Sequence, residues 1–143
     1  NVNLQIKKEL KYGLDQFATY QKFSRNVMLS KKKLVKIIAN LKKDEKTLIG
    51  YGATAKATTV LNFCNLDIEM IDFFVDTTPE KFNKFMPGKK IKIYKYHKRL
   101  LDKSDYIFLG AWNFKKEIFN KERKFIQRGG KFITHVPNPK IIN

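Results

Sequence analysis

Thr47-Leu48-Ile49-Gly50-Tyr51-Gly52-Ala53-Thr54-Ala55-Lys56 decides the fold, because a short apolar run closes on G-x-G-x-x-A and passes directly into a helical pattern. That context, a strand turning into a helix, gives an otherwise weak glycine motif its meaning. The first glycine permits a tight bend. The second removes a side chain where backbone must approach a ligand, and the free N–H groups at a helix start favour an anion. Small residues also occur at such turns for close helix-to-strand packing, so Gly52 and Ala53 carry both readings. Thr54 is a ligand contact or a helix N-cap. Lys56, two residues into a helix whose dipole disfavours a cation there, is a phosphate ligand or a solvent-pointing lysine.

Working outward, short apolar runs alternate with helical or turn signals from residue 47 onward, the pattern of a parallel, doubly wound sheet. Strands are expected at 47–51, 71–75, 91–94, 105–110 and 131–134, with helices at 54–63 and 114–127. The result is an α/β, Rossmann-like fold of about five mainly parallel strands in an order near 3-2-1-4-5. In the second helix Phe114, Ile118, Phe119, Phe125 and Ile126 are expected to face inward. Asp76 stands 24 residues after Gly52, just past the second strand, where it would accept hydrogen bonds from a ribose diol or cap the next segment. Upstream, Ile6, Leu10, Leu14, Phe17, Tyr20 and Phe23 recur at threes and fours, as do Leu34, Ile37, Ile38 and Leu41. This is a helical lead-in over about 4–42, read as one long helix or two in series with Ser30 as a possible cap, before a sheet domain over about 46–143.

At 143 residues the chain has the size of one domain, and 43% hydrophobic residues with 12 Phe exclude disorder. No run approaches the roughly 20 apolar residues that cross a bilayer, and the amino end lacks a signal pattern. No membrane partner is expected. The single Cys64 excludes an internal disulfide and a multi-cysteine zinc cage, and with it we expect a reducing, cytoplasmic setting. The chain starts without Met and is expected to be a piece of something longer. A net charge of +17 raises the prospect of an anionic partner, but only four of the 30 basic residues are arginine, the usual reader of bases and phosphates. We therefore read most lysines as a solvated face and nucleic acid as an unlikely partner.

Two further stretches carry candidate chemistry. Residues 76–88 form a long loop that mixes aromatics, cations and Pro87-Gly88, expected to fold over the carboxyl edge of the sheet. Gly110-Ala111-Trp112-Asn113 leaves the strand across the switch point from the first, where Trp112 and Asn113 would offer a stacking face and an amide, or where Trp112 would be core. His97 and His135 form no visible triad or metal set with Cys64. No catalytic residue is assigned, and no metal ligand.

Gly50-Tyr51-Gly52-Ala53-Thr54-Ala55-Lys56, then Phe74-Val75-Asp76-Thr77-Thr78-Pro79-Glu80-Lys81 with Phe85-Met86-Pro87-Gly88, then Gly110-Ala111-Trp112-Asn113 closely resemble the C-terminal domain of SAM-dependent C-methyltransferases acting on nucleotide-linked keto-deoxysugars. The ending Gly129-Gly130-Lys131-Phe132-Ile133 with Pro137-Asn138-Pro139 fits as well. The resemblance implies that residues 1–143 are one Rossmann-like domain of a longer polypeptide. In it, a cysteine-rich amino-terminal segment would hold zinc and a middle domain would hold S-adenosyl-L-methionine. This domain would close over the sugar nucleotide with Gly52, Ala53, Thr54, Lys56, Asp76, Pro87, Gly88, Trp112 and Asn113 lining the cleft. The implied chemistry is deprotonation beside a keto group and methylation of the enolate carbon, with the base in the missing part. The rival readings from the residues alone are an NAD-type dinucleotide-binding oxidoreductase module and a basic nucleic-acid-binding domain.

Overall fold

The computed structural model describes residues 1–143. Helices α1 (Val2–Lys11) and α2 (Phe17–Lys43) lead into β1 (Leu48–Tyr51), α3 (Ala55–Cys64), β2 (Phe74–Asp76), β3 (Ile93–Lys95), α4 (Lys98–Asp102) and β4 (Tyr106–Leu109). Then follow α5 (Lys115–Lys121), α6 (Arg123–Gln127), β5 (Lys131–Thr134) and β6 (Lys140–Ile142). The sheet order is β3-β2-β1-β4-β5-β6, with every pair parallel except β5–β6. The expected order 3-2-1-4-5 holds. A sixth strand is added beyond it: β6 is three residues long and follows Pro139, too short for periodicity to announce, and it pairs antiparallel as an edge.

Helices cover both faces, so the strands alternate between two cores. Leu48, Phe74, Phe108 and Ile133 pack toward α2 and α3, while Ile49, Ile107, Leu109 and Phe132 pack toward α4, α5 and α6. Both sets are fully or almost fully buried, as strands inside a doubly wound sheet must be. In β2 the ladder begins later than expected, because Asp72 turns its carboxylate to the Leu48 N–H (3.2 Å) and the Lys42 ammonium (2.8 Å).

The lead-in is two helices, divided at Gly13 (φ +65°), a left-handed position beyond the α1 end that glycine adopts without strain. The helix runs unbroken through Ser30, so Lys31-Lys32-Lys33 sit mid-helix, away from the end where the dipole would oppose them. Only Leu34, Ile38 and Leu41 of α2 are buried, and α1 buries nothing. The helix expected at 114–127 is divided at Glu122, which leaves the exposed surface for the interior. Ile118 and Phe125 are buried as expected, whereas Phe114 is 53% exposed.

Candidate functional site

The chain runs outward from β1 to β2 and β3, then returns to place β4 on the other side of β1, so the carboxyl ends of β1 and β4 mark the switch point where such sheets hold ligands. A cleft of about 380 Å³ opens there, floored by Tyr51 at the end of β1 and Gly52 just after it, Val75 and Asp76 from β2, and Ala111 after β4.

The glycine turn is closed by the protein's own groups. Gly52 has φ +84°, and a Cβ there would stand 2.6 Å from the Ala111 Cβ. Asp76, 7% exposed, reaches across from β2, and its Oδ2 accepts the Ala53 N–H at 2.7 Å. The same carboxylate accepts the Thr78 N–H (2.8 Å) and the Lys81 ammonium (3.2 Å). Burial alone would push this carboxyl up. The Thr78 hydroxyl and N–H, Lys81 and Ala53 outweigh it and hold the group below the ordinary carboxylate range. Asp76 thus joins the loops that leave β1 and β2. Thr54 caps α3, its Oγ1 accepting the Ala57 N–H and donating to the Gly110 carbonyl, both at 3.1 Å.

Of the residues singled out from sequence, Gly52, Thr54 and Asp76 line the cleft. Ala53 is buried behind it. Lys56 lies with its ammonium 5.1 Å from the Trp112 ring centroid, a cation–π pair beside the cleft, and Asn113 is exposed. Pro87 and Gly88 lie elsewhere. The loop after β2 starts at the cleft, but Met86 enters the core beside α3, and Asn62 of α3 donates to the Pro87 carbonyl at 3.0 Å. His97 caps α4 by accepting the Arg99 N–H at 3.2 Å. His135 stacks on Phe108 (5.3 Å, 13°) on the α3 side of the sheet, its Nδ1 has no hydrogen-bond partner, and burial pulls its pKa down to about 4. Cys64 is buried, and burial pushes its thiol up.

The opposite wall of the cleft consists of residues that sequence reasoning passed over. Tyr51 and the residue after β3, Tyr96, pack edge to face at 5.6 Å. Their phenols donate to one oxygen of buried Glu122, at 3.1 and 2.7 Å. Burial first, and then the Glu122 charge and hydrogen bond, hold both phenols protonated well above the ordinary tyrosine range. The Lys121 ammonium stands 3.8 Å from the Tyr96 ring centroid. Phe114 and Glu117 complete this side. The available signal was the break that Glu122 makes in an otherwise apolar helical face, since a buried carboxylate needs donors.

The fold is that of a doubly wound α/β domain with a cleft at its switch point. The chain belongs to the family described as the C-methyltransferase C-terminal domain, matched over residues 1–137. It is 32% identical over 138 residues to the C-methyltransferase NovU of Streptomyces niveus, a match that takes in 96% of this chain and 33% of NovU. The chain therefore spans about a third of the length of that relative. No helix is long and apolar enough to cross a membrane.

Proposed function

We propose that this chain is the substrate-side domain of a SAM-dependent C-methyltransferase that modifies a nucleotide-linked keto-deoxysugar. Family membership supports the methyltransferase part, and the cleft at the switch point supports a ligand-binding role. S-adenosyl-L-methionine, when bound, supplies the methyl group. Gly52 packed on Ala111 and the Ala53 N–H bonded to Asp76 do not fit a cofactor at this turn. On this reading the cofactor belongs to a preceding domain of one cytoplasmic polypeptide, with zinc in a segment before that. The same two contacts count against the dinucleotide reading, whose ribose contact Asp76 would have to supply. This chain's contribution is to hold the sugar nucleotide and to exclude water from the reacting carbon, which strengthens the electrostatic stabilisation an enolate needs.

The observation that carries the proposal is a match to C-methyltransferases over nearly the entire chain, joined to a cleft with aromatic walls and lysines. Titration calorimetry of the 143-residue chain tests it, with TDP-glucose and NAD⁺ as the two ligands. Saturable one-to-one binding of TDP-glucose is expected, with no heat from NAD⁺. Saturable NAD⁺ binding with TDP-glucose silent would return the oxidoreductase reading.

A further inference from the structure

We infer that the cleft seats the nucleoside diphosphate end of the sugar nucleotide, with the base against Phe114, the diphosphate toward Lys81 and Lys121, and the sugar ring presented outward. The inference rests on the proposal above for the identity of the ligand. Its own content is the orientation of that ligand.

At about 380 Å³ the cleft sits at the small end of ligand pockets, roughly 300–1,000 Å³, and so takes one end of a sugar nucleotide. One ring face decides which end. Phe114 stays 53% exposed although it belongs to neither core, whereas the Tyr96 ring is already covered by the Lys121 ammonium. An exposed flat aromatic face at the cleft is a stacking platform for a base. Chemistry at the wall agrees. Both phenol protons are committed to Glu122, so a ligand meeting either hydroxyl finds only lone pairs, and exposed Glu117 also only accepts. Such a wall suits a ring N–H and repels phosphate. Cations flank it: Lys81 spends one of its three donors on Asp76, and Lys121 lies across Tyr96, leaving both ammonium groups able to meet a diphosphate. The remaining argument is the reaction. A carbon that receives a methyl group held by another domain must point away from this one.

Saturation-transfer NMR on the 143-residue chain reads the orientation directly, using TDP-glucose, TDP, thymidine and glucose 1-phosphate. The thymine methyl and ring protons are expected to saturate more strongly than the glucose protons. TDP should bind nearly as tightly as TDP-glucose, and glucose 1-phosphate should not compete. Phe114→Ala, at an exposed site, should weaken TDP about tenfold through lost stacking. Lys121→Ala should weaken TDP while leaving thymidine unchanged. Stronger saturation of the glucose protons, or glucose 1-phosphate displacing TDP-glucose where TDP does not, overturns the orientation and leaves the proposed function standing. Failure of TDP-glucose itself to bind overturns both.

Discussion

Asp76→Ala separates a carboxylate that builds the site from one that reads a ligand. The side chain accepts from the Ala53 N–H at 2.7 Å, from the Thr78 N–H at 2.8 Å and its hydroxyl, and from the Lys81 ammonium at 3.2 Å. Ala53 is 7% exposed, so its N–H has no water to turn to, and an orphaned buried donor costs about 1–3 kcal/mol. Thr78 and Lys81 are only half-buried and recover part of their loss by hydration. The expected total is about 3 kcal/mol, a fall in Tm of about 10 °C for a domain of this size. Urea unfolding followed by circular dichroism measures it, with an unchanged m-value as the sign that the fold persists. Acid gives a second reading. Because the folded carboxyl lies below its unfolded value, its contribution is complete above the ordinary Asp range and disappears as pH falls through the lower folded value. Wild type and variant should therefore converge only in strong acid. A stability loss below about 0.5 kcal/mol, together with weakened TDP-glucose binding, would refute this account and make Asp76 a ribose ligand.

Three other outcomes follow from the same geometry. Gly52→Ala puts a Cβ 2.6 Å from that of Ala111 at φ +84°, which should cost about 2–4 kcal/mol in a thermal melt, and Ala111→Gly added to it should recover the clash but not the backbone strain. An absorbance titration in alkali should leave Tyr51 and Tyr96 of the six tyrosines un-ionised until the chain unfolds, and Glu122→Ala should move both down toward the ordinary range, with burial still holding them above it, while lowering stability by about 2–4 kcal/mol. The depressed pKa of His135 means that the unfolded chain takes up its proton first, near pH 6.5, so stability should fall between pH 6.5 and about 4, and His135→Phe should flatten that slope in pH-dependent urea melts.

The sheet was legible because its strands are buried on both faces and write near-continuous apolar runs, such as Tyr106-Ile107-Phe108-Leu109, which nothing but a covered strand explains. Chirality and crossover rules then leave few orders to choose from. What escaped were features without a period. β6 has three residues, and the place of the α1–α2 break, at Gly13 and not at Ser30, depends on one left-handed glycine that a helical count reads as tolerable.

The site was legible in place but not in composition. Motif reasoning assigns an N–H or a carboxylate to a ligand because it sees each group alone, and here Asp76 and the Ala53 N–H are each other's partners across 23 residues of chain. Thr54 is likewise divided between Ala57 and Gly110. Once these pairs close, the unspent chemistry belongs to residues that no motif contains: Tyr96 just past a short strand, and Lys121 and Phe114 on a segment that reads as plain amphipathic helix. Glu122, which lies between α5 and α6, draws Tyr51 and Tyr96 into one wall. A buried carboxylate with no cation hydrogen-bonded to it is expensive to keep, since apolar packing of the same volume is often as stable. What Glu122 holds in position is the pair of phenols on the face of the cleft that the glycine turn cannot supply.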